Sequence, residues 1–120
     1  MHHEGYDYTF HNDLKTWQGA QEVCTQDGSN LVMEKSVSVY NFVNLTWGNE
    51  SFWIGVHDKS VEDQFEYVDG SLVTLTFWAQ GQPDNSSGED CVHHSDNQWK
   101  WNYNKCSKEL KFLCQKGKQK

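Results

Sequence analysis

The sequence predicts one α+β domain over residues 1–120, with two helices followed by a β-rich segment. Three observations lead to this class. Two segments before residue 50 combine helix-capping residues with apolar side chains at helical spacing. The segments after residue 51 are short, apolar or alternating, and turn residues separate them. A length of 120 residues allows one hydrophobic core, and neither a repeat nor a linker divides it.

Two helices are predicted in the first half of the chain. The first is expected to begin at an N-cap formed by Asn12-Asp13 and to end at Gly28, because these residue types favour those two positions. One face of this helix would carry Leu14, Trp17, Gln21 and Cys24. The second helix is expected to begin at Ser36 and to end near Gly48. Its inward-facing side chains would be Val39, Tyr40 and Val43.

Short strands are predicted in the rest of the chain. They comprise 31–33, 52–56, 65–68, 71–73, 91–94 and 111–114. Asp69-Gly70 is a strong turn signal and predicts a hairpin around it. Residues 78–90 contain the single proline and many amide or acidic side chains, so a loop is predicted there. A loop this long in a small domain is usually functional or organised by a ligand.

Composition and charge exclude several classes of function. The chain has 10 lysine and arginine residues against 17 acidic ones, so its formal charge is −7. Nucleic-acid binding requires a basic surface, which this composition does not supply. No apolar run approaches the roughly 20 residues of a membrane span, so a soluble domain is expected. An aromatic content of 14% also argues against disorder.

The cysteines and the glycosylation motifs both indicate secretion to an oxidising compartment. The chain contains an even number of cysteines and no CxxC pair: Cys24, Cys91, Cys106 and Cys114. Two disulfides are therefore a better prediction than a zinc site, although the spacing leaves three connectivities open. Sequons begin at Asn44, Asn49 and Asn85, as in a secreted glycoprotein.

Side chains that offer oxygen ligands are concentrated in the second half of the sequence. They are Asp58, Glu62, Gln82, Asp84, Glu89, Asp90 and Asn102. Calcium takes about 6–8 oxygen ligands from carboxylates, amides, backbone carbonyls and water, so an irregular loop suits it. The alternative is an ordinary solvated acidic loop, which composition alone favours. The order of the motifs along the chain favours the calcium site.

Several short motifs follow one another in a specific order. They are Trp53-Ile54-Gly55-Val56, Gln82-Pro83-Asp84, Gly88-Glu89-Asp90-Cys91, Trp101-Asn102 and Phe112-Leu113-Cys114. In this order they resemble the C-type lectin-like domain over nearly the whole chain. The first is similar to the family's Trp-Ile-Gly-Leu core strand, and the second matches its Gln-Pro-Asp sugar motif. The fourth stands where the family has Trp-Asn-Asp.

The resemblance implies the fold and the disulfide pairing. It implies a C-type lectin-like fold with two helices, small antiparallel sheets and a long calcium- and sugar-binding loop region. It also implies the bridges Cys24–Cys114 and Cys91–Cys106. The family's additional N-terminal bridge is missing, so the chain is similar to the short form.

The resemblance also implies a calcium ion as cofactor. Its side-chain ligands would be Gln82, Asp84, Glu89 and Asn102. The proline of the sugar motif, Pro83, would be cis. The chain departs from the family at Tyr103, which replaces the acid of the Trp-Asn-Asp motif and could coordinate through its backbone only. Calcium is therefore expected to bind more weakly than in a typical member.

A second calcium site is suggested by partial matches to mannose-binding-type members. Its ligands would be Asp58, Glu62 and Asp90, together with the Glu89 carbonyl. The alternative is that Asp58 and Glu62 are ordinary turn acids.

The expected carbohydrate-binding residues are Gln82, Asp84, Glu89, Trp99 and Asn102. An amide before the proline and a carboxylate after it reverse the Glu-Pro-Asn order. The resemblance implies that members with this reversed order prefer galactose and N-acetylgalactosamine to mannose. Trp99 is expected to stack on the apolar face of the sugar, with packing in the core as its alternative. Trp101 is expected to lie in the core.

The leading hypothesis is a secreted, calcium-dependent lectin domain that binds galactose-terminated glycans and catalyses no reaction. A homo-oligomer would give such weak single sites useful avidity. The second hypothesis is a calcium-independent protein-interaction domain on the same fold, with a degraded calcium site. A glycosidase that uses Asp84 and Glu89 is disfavoured, because nothing in the sequence specifies a pocket for it.

Overall fold

Two helices and a mainly antiparallel sheet form the described part of the molecule. The computed structural model describes residues 1–61, 64–79, 89–95 and 100–117. The helices are α1 (Trp17–Gln26) and α2 (Val37–Trp47). The strands are β1 (His2–His3), β2 (Tyr6–Lys15), β3 (Asn30–Leu31), β4 (Phe52–Val61), β5 (Gln64–Tyr67), β6 (Glu89–His94), β7 (Trp101–Lys105) and β8 (Leu110–Gly117). The predicted α+β class is confirmed.

The sheet joins the two ends of the chain and extends from there to the candidate site. Its described strands follow the order β1-β2-β8-β4-β6-β7, while β3 pairs with β8 and β5 with β4. The β4–β8 pair is parallel, and the other strand pairs in the described ranges are antiparallel. Because β8 lies between β2 and β4, the last strand of the chain is central to the sheet.

Helix α1 begins later than the sequence predicted. Its N-cap is Thr16, whose hydroxyl accepts a hydrogen bond from the Gly19 N–H at 3.1 Å. Asn12-Asp13 instead lies in β2, so the predicted N-cap is wrong. The physical reason is the pairing of β2 with β8, which keeps the backbone extended as far as Lys15. Leu14 is consequently exposed rather than on the inner face of the helix.

The other helix boundaries agree with the prediction. Gly28 follows the end of α1 with a φ of 75°, a conformation that glycine adopts without strain. The Ser36 hydroxyl accepts a hydrogen bond from the Val39 N–H at 3.2 Å and caps α2, which Gly48 ends. Val39, Tyr40 and Val43 are buried, as expected.

Several strand predictions need adjustment. The predicted strand at 52–56 is the first half of the longer β4. Residues 71–73 contribute only an isolated bridge from Leu72 to Glu66 rather than a full strand. Strand β7 was not predicted at all. The predicted loop at 78–90 is described only at its ends, and residues 89–90 belong to β6.

Both disulfides form with the predicted connectivity. Cys24–Cys114 joins α1 to β8, and Cys91–Cys106 joins β6 to the turn after β7. Beside the first bridge, the chain segments approach closely at Gly55. A Cβ atom on that residue would lie 2.6 Å from the Leu31 carbonyl oxygen, so only glycine fits there.

Candidate functional site

Strand β7 is the centre of the candidate site. On one side it pairs with β6, which places His93 opposite Asn102 and Val92 opposite Tyr103. On its other side, the Trp101 N–H donates to the Phe77 carbonyl at 2.8 Å, and the Ala79 N–H donates to the Trp101 carbonyl at 2.9 Å. The chain before residue 80 and the chain from residue 89 therefore lie on opposite sides of the same strand.

The predicted site residues fall into two groups. Gln82, Pro83, Asp84, Glu62 and Trp99 lie outside the described residues, as does the side chain of Glu89. The structure does place the Glu89 backbone opposite Lys105, together with the complete side chains of four candidates. Those four are Asp58, Asp90, Asn102 and Tyr103.

Asn102 carries an unused hydrogen-bond acceptor. Its neighbours Trp101 and Tyr103 are buried, so strand alternation turns Asn102 to the opposite face of β7. The Asn102 Oδ1 atom is buried and has no hydrogen-bond partner among the described residues. A buried acceptor without a partner costs free energy, and a cation or a ligand donor would relieve that cost.

Tyr103 directs its side chain into a pair of acids. Its hydroxyl lies 2.7 Å from each carboxylate oxygen of Asp58 and 3.3 Å from Asp90 Oδ1. Asp58 is 1% exposed, so this contact is sheltered from solvent. A phenol has one proton to donate, whereas these two carboxylates present three oxygens to it. Since the Tyr103 side chain is used here, any contact of this residue with a bound ion would have to come from its backbone carbonyl.

The neighbouring Trp101 contacts a third acid, which the sequence analysis did not identify. Trp101 is fully buried, as expected, and its indole Nε1–H donates to Glu34 Oε1 at 2.6 Å. Glu34 is itself fully buried, and burial raises the pKa of its carboxyl group to about 8, against the lowering effect of the Trp101 hydrogen bond. Its place directly after the apolar run Leu31-Val32-Met33 was the available signal.

His94, on β6, makes its contacts within the core of the protein. His94 is fully buried, and its Nε2 atom lies 3.0 Å from Asn44 Oδ1. Burial lowers the pKa of the His94 imidazole to about 4, so this ring is neutral at physiological pH. Within the ranges that the structure describes, no three His, Cys, Asp or Glu side chains form a group that could hold a metal ion.

Comparison with known proteins gives a consistent result over nearly the whole chain. The family model described as "Lectin C-type domain" matches residues 13–116. Hepatic lectin of Gallus gallus is 35% identical over 117 residues, which cover 94% of this chain and 56% of that protein. The chain spans from 8% to 56% of the length of such curated relatives.

Solved structures show the same similarity. The carbohydrate-recognition domain of mouse scavenger receptor C-type lectin is 30% identical with a TM-score of 0.91, covering 100% of this chain and 94% of that one. The cow CD23 carbohydrate-recognition domain, solved in the presence of a GlcNAc2Man3 oligosaccharide, is 26% identical with a TM-score of 0.92 and the same coverage. The predicted fold is confirmed by these neighbours.

Proposed function

The chain belongs to the C-type lectin family of non-enzymatic carbohydrate-binding domains, and we propose that it binds galactose and N-acetylgalactosamine through a calcium ion. Carbohydrate binding follows from the family, whereas the sugar and the ion are proposals. The observation that carries the calcium proposal is the buried, unpartnered Oδ1 atom of Asn102 on β7.

The residues present fit a calcium ion. The donor set would comprise the side chains of Gln82, Asp84, Glu89 and Asn102, with the Tyr103 carbonyl. These are all oxygen ligands, which calcium prefers. When bound, the ion would accept two adjacent sugar hydroxyls in place of water. The described geometry supports this set, because Ala79 and Glu89 bring the ends of the intervening segment to the two sides of β7.

The galactose preference is proposed from the order of donors and acceptors. A carboxylate can only accept hydrogen bonds, whereas an amide nitrogen donates them. With Gln82 before Pro83 and Asp84 after it, the donor and the acceptor are exchanged relative to Glu-Pro-Asn. The sugar hydroxyls must match this order, including the axial 4-hydroxyl of galactose. Trp99 would cover the apolar face of the sugar.

A second calcium ion is proposed beside the first, with Asp58, Glu62, Asp90 and the Glu89 carbonyl as ligands. The contact of Asp58 and Asp90 with the single Tyr103 hydroxyl supports it. Two carboxylates that lie close to the same hydroxyl repel each other, and a cation between them would offset this repulsion.

Retention on galactose–agarose tests the proposal directly. Wild type should be retained in millimolar calcium and released by chelator, and calcium should raise its melting temperature because the ion binds the native state. Asn102→Ala should reduce both effects. Asn104→Ala is the matched control, since Asn104 lies on the same strand and its Oδ1 already accepts from the Lys105 N–H. An unchanged melting temperature in calcium, with no ion detected by calorimetry, would contradict the calcium proposal.

Sugar selectivity needs its own experiment. The double variant Gln82→Glu with Asp84→Asn restores the Glu-Pro-Asn order and should shift binding from galactose towards mannose. If the wild-type protein binds to a mannose column and does not bind to a galactose column, the proposed selectivity is wrong.

The alternative function is a calcium-independent protein-interaction domain. The observation in its favour is Tyr103, which replaces a calcium-binding acid and directs its side chain to Asp58. Folded protein that binds no galactose or mannose in saturating calcium would support this alternative. Retention that chelator abolishes would exclude it.

We also propose that the domain is secreted, glycosylated and oligomeric. No helix in the described ranges is long and apolar enough to cross a membrane. Of the described sequons, Asn49 is exposed just after α2, whereas Asn44 is half-buried within α2 and contacts His94. Asn49 is therefore the better acceptor of a glycan. Oligomerisation would give avidity for glycans with several galactose ends.

A further inference from the structure

Glu34 is a buried acid with no counter-charge among the described residues. Its side chain is 0% exposed, and Oε2 has no hydrogen-bond partner among the described residues. None of the ion pairs in the described part of the chain includes it. An ionised carboxylate in such a place is costly, so the neutral acid is the form that the fold accommodates at neutral pH. The raised pKa of Glu34, about 8, agrees with this conclusion.

The groups around Glu34 cannot neutralise a negative charge. Tyr8 on β2, Tyr40 on α2 and Tyr67 on β5 interact electrostatically with it, and burial raises the pKa of all three phenols. They therefore stay protonated to a higher pH than free phenols do. The Tyr67 hydroxyl donates to the Glu34 backbone carbonyl at 3.0 Å and not to the carboxyl group.

The charged residues nearby are directed elsewhere. Lys35 pairs with Asp69, and the Lys100 ammonium lies 5.6 Å from the centre of the Tyr40 ring. The hydrogen-bond donor that the structure gives to the Glu34 carboxyl is the Trp101 indole.

Trp101 connects Glu34 to the candidate ligand-binding site. Its backbone holds Phe77 and Ala79, at the start of the segment that carries the sugar motif. Its ring packs edge-on against Phe77 and Trp78, with ring centres 5.5 Å apart in both cases. The next residue along β7 is Asn102. Trp101 therefore contacts residues 77–79 through both its backbone and its ring, and it directly precedes Asn102.

We propose that Glu34 is a positioning residue for the carbohydrate site and acts as a neutral acid. Its carboxyl group fixes the Trp101 indole, and Trp101 in turn aligns residues 77–79 with Asn102. Ionisation of Glu34 at alkaline pH makes its carboxyl group a stronger acceptor for the indole, but the cost of the buried, uncompensated charge is larger, so ionisation should draw water into the contact and loosen this alignment. The effect on sugar binding rests on the proposed function, whereas the effect on Trp101 does not.

The first test measures the Trp101 contact without any ligand. The indole ¹H–¹⁵N resonance of Trp101 is assigned by its loss in Trp101→Phe and followed from pH 6 to 10. In wild type it should titrate with a midpoint near pH 8. In Glu34→Gln it should not titrate over this range, because the amide carbonyl can accept the indole N–H but cannot ionise. Hydrogen-exchange protection of the Ala79 amide should fall above the midpoint in wild type only.

The second test measures galactose affinity in saturating calcium over the same pH range. If only the neutral form is competent, the apparent dissociation constant of wild type rises about tenfold per pH unit above the midpoint, while that of Glu34→Gln stays level. Glu34→Leu, which offers no acceptor, should bind weakly at every pH. If Glu34→Leu does not fold, wild type and Glu34→Gln still decide the question.

Three results would overturn the inference. They are an indole resonance that does not titrate in wild type, one that titrates equally in Glu34→Gln, or galactose affinity that is equally pH-dependent in both proteins. If neither protein binds galactose at any pH, the proposed function fails. The inference is then decided by the indole titration and by Ala79 protection, which need no sugar.

Discussion

Replacing Glu34 with Gln should change the pH dependence of folding stability. In the folded protein burial raises the pKa of the Glu34 carboxyl to about 8, from an ordinary value of 4.5. The native state therefore binds this proton more tightly than the unfolded state does. The stabilising contribution of the proton is complete below about pH 4.5 and declines as the pH rises to about 8. Glutamine has no such proton and no such decline.

The size of the effect follows from the two pKa values. Each unit of difference corresponds to about 1.4 kcal/mol, so Glu34→Gln should gain roughly 3 kcal/mol relative to wild type between pH 4.5 and pH 7. By pH 8, where the native carboxyl is half-ionised, the difference relative to pH 4.5 grows to about 4 kcal/mol. Small domains unfold with free energies of about 5–15 kcal/mol, so a change of this size is readily measured.

Urea unfolding with the disulfides intact, followed by tryptophan fluorescence at pH 4.5, 6, 7 and 8, provides the assay. The slope with pH is the informative quantity, because any fixed cost of burying the new amide is the same at every pH. Glu22→Gln is the control: Glu22 is exposed on α1, and its substitution should produce no comparable slope. A stability difference between wild type and Glu34→Gln that stays constant from pH 4.5 to 8 would refute the reasoning.

Three further predictions concern strand β7 and its surroundings. Tyr103→Phe removes the hydroxyl that donates to Asp58 and should cost about 1–3 kcal/mol of stability, measured by urea unfolding; the second-site proposal predicts that saturating calcium reduces this loss. Trp99→Ala should weaken galactose binding in calorimetry and leave the fold intact, whereas Trp101→Ala should cost about 3–5 kcal/mol because the ring is buried. The reverse outcome would mean that the two rings have been assigned wrongly. Replacing Cys91 and Cys106 with Ala should cost about 3 kcal/mol by loop entropy, and a loss below 1 kcal/mol would contradict that account.

The early helix shows which local signals were sufficient and which were not. Helix α2 is capped by Ser36 and ended by Gly48 as predicted, since capping depends on neighbouring residues. For α1, the sequence predicted Asn12-Asp13 as the N-cap, whereas the structure uses Thr16. The choice was made by the pairing of β2 with β8, whose residues lie about a hundred positions away in sequence. Local propensity could not show that this pairing keeps the backbone extended as far as Lys15.

The candidate site divides in the same way. Asn102 was predicted from a motif, because the residues of the motif are adjacent in sequence. The contacts of Glu34 with Trp101 and of Asp58 with Tyr103 span 67 and 45 positions. Each joins a buried acid to an aromatic donor, and no local pattern in the sequence indicates either pairing. Only the fold brings these partners together.

The side chains on the two faces of β7 therefore make different kinds of contact. On one face Trp101 and Tyr103 each donate to a buried acid, Glu34 and Asp58 respectively. Hydrogen bonds to buried acceptors are directional and costly to break, so they hold the strand more precisely than apolar packing alone would. On the opposite face Asn102 presents an acceptor that the described residues leave unpaired. A strand held on one face by two acids is a rigid support for a ligand on the other. The two acids should act differently on that support: a proton on Glu34 strengthens it by removing a buried charge, whereas a cation at Asp58 would strengthen it by offsetting the repulsion between Asp58 and Asp90 beside the Tyr103 hydroxyl.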